Sequence, residues 1–426
     1  MEPHIEIYKN KSILINDKGN NEVFVEGSPS SDAQKKVTKI KTSFQKGFLE
    51  KLIEKCRKGT ISWKLKKEHE ELFDNLVNGV TSNYGRSLVG LTVLQLCIKK
   101  IEPSLNIRLH KSGSGDFSWK EGIPMRGLDS EFIAPVLRKT NLLKYNKDGV
   151  MMTRSFAENY PYSSFYKASI RGSKESWITI VNELEEGNLN ADEGLKKIIS
   201  LLLNKSDDFQ KLSAKLVSEN KKFCAKKGNL KIIGKKLVTH VNKSEYPARL
   251  FEISLHSLFQ VLADNKKLCG SLRPLSQMRS ANKKFGNIGD IEVIASTDPK
   301  SEILEAWDAK FGKPYLFDEL GELEDKLVDH KSIQRVGFIV DTAPKSSTEL
   351  KNKISEIKEI FGIEIEILEF LKFVKELISS SQMNENDFAK QWMTAYVESI
   401  CQKKRTVAPI DEPSEMWIKE LLDILK

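Results

Sequence analysis

No run of eighteen apolar residues occurs in this 426-residue chain, and its first residues, with His4 between Glu2 and Glu6, lack the basic-then-apolar order of a signal peptide. These absences predict a soluble, cytoplasmic protein. Cysteine is scarce: Cys56, Cys97, Cys224, Cys269 and Cys401 are odd in number, widely spaced and without a Cys-x-x-Cys pair. That pattern argues against thiolate zinc or redox chemistry and predicts buried, apolar cysteines. A Gly-x-x-x-x-Gly-Lys phosphate loop, a Gly-x-Ser-x-Gly elbow and a His-Glu-x-x-His pair are also missing. Nucleotide hydrolases, serine esterases and zinc proteases of the usual kinds are thereby disfavoured. Repeats and Pro- or Gln-rich tracts are absent too, so organisation must be read from periodicity.

What is present suits a folded protein. Hydrophobic residues make up 39% of the chain and are spread along it, enough for two domains or one domain with a large elaboration. Lys and Arg (68) outnumber Asp and Glu (59), a net charge of +9. A basic balance favours polyanions, because each neutralised phosphate releases counterions. Nucleic acid and anionic membrane surfaces are therefore the partners to consider.

The N-terminal part, 1–204, reads as helical and loop-rich. Helical spacing of Val37, Ile40, Phe44, Phe48 and Leu52 predicts one basic helix from Asp32 to Lys58, ended by Gly59. Further helix runs from Leu72 to Ile101, broken at Asn83, Tyr84 and Gly85, and helical spacing returns through Trp177–Leu184 and Gly194–Leu203. Between these, Arg126, Arg138, Arg154, Lys167, Arg171 and Lys174 are interleaved with Phe156, Tyr160, Tyr162, Phe165 and Tyr166. Arginine pairs with guanine in the major groove, whereas lysine and tyrosine hold phosphates. Arg126, Arg154, Lys167, Arg171 and Lys174 are the DNA-binding candidates; an aromatic core with solvated charges fits the same segment. Residues 205–245 read as a lysine-rich connector, with seven lysines and no acid between Lys221 and Lys236.

The last part, 246–426, reads as α/β. Pro247 opens a helix whose Phe251, Leu255, Leu258 and Leu262 share a face. Asp290–Ala295 and Ile303–Phe311 form a strand pair, and the apolar Val336–Val340 is a central strand. A helix from Ser347 to Phe361 and an alternating strand, Ile363–Leu368, follow. Acid-x-Lys occurs eight times in the chain, but Asp308-Ala309-Lys310 alone lies well inside a predicted strand. Period two puts Asp308 and Lys310 on one face and turns Ile303, Trp307, Ala309 and Phe311 toward a core. Asp290, opening the neighbouring strand, can bring its carboxylate to the same edge. Two carboxylates and an ammonium suit a magnesium site for phosphodiester hydrolysis, because magnesium takes one or two carboxylates, waters and substrate phosphate.

This order of elements, with Asp290 and Asp308-x-Lys310 in it, resembles the PD-(D/E)XK nuclease superfamily and especially its type II restriction endonucleases. The resemblance covers Tyr246 to Glu369. Gly289 stands where the family has proline, and Asp308 where glutamate is commoner. The resemblance implies a C-terminal restriction-endonuclease-like mixed sheet flanked by helices, with a mostly helical DNA-reading region before it. It implies Mg2+ held by Asp290, Asp308 and the Ala309 carbonyl, with Lys310 serving the attacking water. Glu252 matches an acid that some members carry on the first core helix. Cleavage of double-stranded DNA at a specific sequence, by a homodimer whose functional partner is a cognate DNA methyltransferase, is the leading expectation. A structure-specific or repair nuclease on the same core, and a non-catalytic DNA-binding protein, are the alternatives.

Overall fold

The computed structural model describes residues 2–15, 21–59, 61–81, 85–111, 118–143, 154–156, 158–275, 287–298, 300–313, 316–343, 347–401 and 413–426. It is a mixed α and β protein in two units, Met1–Asp208 and Phe209–Lys426. No described helix is long and apolar enough to cross a membrane.

Unit 1 opens with an antiparallel meander, β1 (His4–Ile7), β2 (Lys11–Ile15) and β3 (Asn21–Val25). Its Leu14 and Phe24 pack on Leu109 and Trp119. The predicted Asp32–Lys58 helix is two helices, α1 (Ser31–Gln45) and α2 (Phe48–Arg57). Gly47, at φ +74°, separates them by taking the left-handed conformation that side chains resist. Then come α3 (Lys67–Asn78) and α4 (Arg86–Ile101), the latter buried on all sides from Leu88 to Ile98, as a helix apolar all round must be. Short α5 (Met125–Leu128) and α6 (Ala134–Lys139) precede α7 (Lys174–Glu185). The boundary between units falls inside α8 (Ala191–Lys227).

The expected connector at 205–245 is not a linker. It consists of the end of α8 and all of α9 (Leu230–Lys243), and its Leu216, Phe223, Ile233, Leu237 and Val241 are buried in the core of unit 2. Lysines cover the outer faces of these amphipathic helices. Charge density alone reads such a face as linker.

In unit 2, α10 (Pro247–Asp264) is followed by β4 (Ser271–Leu272), β5 (Ile291–Ile294), β6 (Ile303–Lys310) and α11 (Phe317–Leu327). Next are β7 (Arg335–Val340), α12 (Thr348–Phe361), β8 (Ile365–Glu369), α13 (Phe370–Ser381), α14 (Glu385–Ile400) and α15 (Ser414–Leu425). The strands form one sheet in the order β4-β5-β6-β7-β8, antiparallel up to β6 and parallel beyond it. Ser347 caps α12 by accepting the Leu350 N–H, and Gly362 ends it at φ +70°.

One core layer gathers α10, α13 and α14 with Trp307 and Ile339; the other gathers Leu320, Leu323, Leu350 and Ile357 of α11 and α12 with Ala306 and Phe338. Ile303 departs from expectation. It lies in the α11/α12 layer and not beside Trp307, because Val293 pairs with Glu305 while Ile294 pairs with Ile303, leaving Leu304 as an extra residue. Such a bulge reverses the face of everything before it.

Candidate active site

Asp290 stands just before β5, and Lys310 ends β6, so the antiparallel pairing brings both to one end of the sheet. Close approach of the two chains there depends on Gly289. A Cβ at that position would lie 2.7 Å from the Trp307 carbonyl oxygen and 2.9 Å from its carbon. With no side chain in the way, Asp290 Oδ2 accepts the Ala309 N–H at 3.0 Å. A strand residue directs its N–H and C=O to the same edge, so the Ala309 carbonyl lies on the Asp290 side too.

Asp308 and Lys310 share a face of β6, as period two requires, and their charged groups meet at 3.1 Å. They are 20% and 15% exposed, so this is not a solvated surface pair. Lys310 Nζ also donates to Glu319 Oε2 of α11 at 2.5 Å and sits 5.9 Å from the centre of the Phe338 ring. The second Glu319 oxygen faces Lys313 at 3.6 Å.

Electrostatics separate the roles. Burial raises the Asp290 pKa, and the charges of Glu252 and Asp308 and a hydrogen bond with the Asp308 carboxyl raise it further, well above the ordinary range; the Ala309 N–H only partly offsets this. Burial works against the Lys310 charge, but Asp308 and Glu319 outweigh it and hold that pKa above an ordinary lysine's. Lys310 is thus a fixed cation beside a crowded set of carboxyls.

Asp290, Asp308, Ala309 and Lys310 are therefore brought together. Glu252 of α10, mostly buried and paired with Arg249, acts on Asp290 through its charge. Two acids that sequence reasoning missed belong here: Glu319, and Glu292 on β5, which is 2% exposed and paired with Arg273. Leucines 316, 320, 323 and 327 carry a helical period that could have located α11.

The DNA-binding candidates lie in unit 1. Arg126, Lys167 and Arg171 are exposed. Lys174 instead donates to the Tyr166 and Ala168 carbonyls at 2.8 and 3.1 Å, binding its own loop. The Arg154 side chain lies outside the described residues. Phe156, Tyr162 and Tyr166 are buried against Trp177 and His110, so these aromatics are core and not a base-reading surface.

Among the described residues no group of three or more His, Cys, Asp or Glu side chains is arranged to hold a metal ion. Two carboxylates and a peptide carbonyl are nevertheless a donor set that magnesium, which retains several waters, accepts. The crowding that raises the Asp290 pKa is the electrostatic condition a divalent cation relieves. Comparison of the chain with protein-family models and with curated proteins finds no match in either.

Proposed function

We propose that this chain is a magnesium-dependent endonuclease that hydrolyses double-stranded DNA at a specific sequence, on a restriction-endonuclease-like core in unit 2. The observation that carries this reading is that Asp290, just before β5, accepts the Ala309 N–H at 3.0 Å while Asp308 and Lys310, on either side of Ala309 at the end of β6, pair at 3.1 Å. Asp290, Asp308 and the Ala309 carbonyl would hold Mg2+. When bound, the ion supplies charge that activates water and stabilises the attacked phosphate. Lys310, whose charge Asp308 and Glu319 favour, would orient that water and offset phosphate charge. Cutting both strands by a homodimer, with a cognate DNA methyltransferase protecting host sites, completes the reading.

Incubating the protein with plasmid and Mg2+ or EDTA, then mapping the ends, tests it. Ends at one recurrent sequence support restriction. Cutting confined to branched or mismatched DNA points to a repair nuclease, and DNA retention without cleavage under Mg2+ or Mn2+ overturns the catalytic reading.

A lysine face of unit 2 supports a polyanionic substrate. Lys231, Lys235, Thr239 and Lys243 recur every four residues along α9 and line a cleft of about 730 Å³, to which Lys236 and two acids, Glu420 and Asp423, also contribute. None of Lys231, Lys235 and Lys243 has an ion-pair partner among the described residues, and all three are exposed. Like charges spaced four apart cost a helix stability, so this face is not explained by folding. Changing the three to glutamine is expected to weaken DNA binding of every sequence alike and to flatten the salt dependence by about 0.9 for each phosphate no longer neutralised. An unchanged slope in gel-shift titrations across salt excludes this face from DNA binding.

Gly289 gives a sharper test. Proline there, which restores the family's usual residue, adds atoms against the Trp307 backbone and deletes an N–H that Glu292 accepts. Gly289→Pro is expected to lower cleavage by about 100-fold, the cost of misplacing a reacting group by an ångström. Wild-type cleavage by this variant means the close approach is dispensable.

A further inference from the structure

Asp290 has a placement problem that Asp308 and Lys310 do not share. The latter two belong to β6 and are registered against Phe338 and Val340 of β7. The ladder between β5 and β6, by contrast, ends at the Ile291–Trp307 pair, one residue short of Asp290. Strand pairing therefore does not hold the backbone that leads into Asp290.

Buried Glu292 does. Its Oε1 accepts the N–H groups of Ile288 at 2.6 Å and Gly289 at 3.3 Å, the two residues directly before Asp290. Its other oxygen pairs with Arg273 Nη1, which also donates to Asn287 Oδ1 at 3.3 Å. The Arg273 N–H donates to the Glu292 carbonyl at 2.9 Å, and the Arg273 carbonyl meets His256 Nε2 of α10 at 3.0 Å. Residues 287, 288 and 289 are thus each tied, directly or through Arg273, to one carboxylate.

A buried ion pair is weak evidence for a stabilising role, because desolvating two charges offsets much of their attraction and apolar replacements are often neutral. What a leucine cannot do at 292 is bind two successive backbone amides. We infer that Glu292, braced by Arg273, is a positioning residue that sets the 287–289 turn so that the Asp290 carboxylate meets Asp308 and the Ala309 amide. This rests on the reading of Asp290 as a Mg2+ ligand. Partners one shell out from a metal govern its affinity when they fix a ligand's orientation, typically by about 10–100-fold.

The test uses the full chain and Mg2+ alone as the probe. Wild type, Asp290→Ala, Glu292→Ala, Glu292→Gln and the double variant Arg273→Met/Glu292→Leu are compared by melting temperature, by calorimetric Mg2+ affinity without DNA, and by the Mg2+ dependence of plasmid cleavage. The double variant, which leaves no unpaired charge but takes the acceptor from the Ile288 and Gly289 N–H groups, is expected to melt somewhat below wild type and, where folded, to bind Mg2+ about 10–100-fold more weakly. The Mg2+ concentration for half-maximal cleavage should rise by more than the saturated rate falls, a split that mere loss of folded protein does not produce. If the double variant does not fold, Glu292→Ala, which removes the acceptor of both amides, carries the same expectation, whereas Glu292→Gln, whose oxygen can still accept the Ile288 and Gly289 N–H groups, should keep most of the Mg2+ affinity. A folded double variant or Glu292→Ala protein with wild-type Mg2+ affinity overturns the inference. Asp290→Ala separates the two levels: if it too binds Mg2+ normally, the metal site itself is wrong; if it alone loses Mg2+, only the positioning role of Glu292 fails.

Discussion

Lys310→Ala is expected to slow Mg2+-dependent cleavage by about 10²–10³-fold, the usual cost of removing one group that stabilises charge in a transition state. DNA affinity should hardly change, because it comes from many distributed phosphate contacts. Lys310 lies between Asp308 at 3.1 Å and Glu319 at 2.5 Å, so its removal also takes the cation from Asp308 and leaves Glu319 only the more distant Lys313, at 3.6 Å. In EDTA the variant should therefore melt below wild type, and Mg2+ should restore part of the loss by supplying the missing charge. Asp308→Ala should lose cleavage as severely, because a metal ligand is removed, but should gain nothing from Mg2+. Its fold should persist, since Asp308 belongs to neither hydrophobic core layer. Plasmid cleavage in Mg2+, with gel shifts and melting curves in EDTA, distinguishes these effects. A Lys310→Ala protein that cuts at the wild-type rate removes Lys310 from the site.

Local patterns made much of the second unit legible. Ser347 and Gly362 bracket α12, Pro247 opens α10, and period two alone put Asp308 and Lys310 on one face. These are decisions made within a few residues of chain. Leu304 was not legible, because counting by two cannot detect one inserted residue, and so Ile303 was assigned to the wrong layer. Glu319 and Glu292 escaped for a different reason. Each looks like an ordinary surface acid until α11 turns back on β6, or the 287–289 turn folds over β5, and brings a lysine or two amides to it. The aromatics around Tyr162 stay open in the sequence, because tyrosine suits a binding surface and a core equally; burial against Trp177 decides for the core.

Asp290→Asn is expected to stabilise the metal-free protein while abolishing its metal-dependent activity, opposite signs from one atom exchanged. Burial, then the charges of Glu252 and Asp308 and the hydrogen bond with Asp308, raise the Asp290 pKa well above its ordinary value. Between those two values the folded state holds a proton that the unfolded chain has released. Stability changes with pH in proportion to protons bound unfolded minus folded, so here it falls as pH rises. The contribution is fully present below the ordinary aspartate pKa and is lost as pH passes upward through the raised folded value. Asparagine is neutral throughout and can keep both hydrogen bonds, its oxygen accepting from Ala309 and its amide donating to Asp308. Its melting temperature in EDTA should therefore lack this downward slope and exceed that of wild type at the alkaline end. Mg2+ reverses the order, because it binds the deprotonated aspartate and stabilises wild type by mass action, whereas the asparagine variant gains little. Melting curves from about pH 4 to about pH 9, with EDTA and with Mg2+, measure both effects. The idea is sunk if wild type and Asp290→Asn keep parallel profiles in EDTA and respond equally to Mg2+, for then Asp290 neither carries the strained charge nor meets the metal.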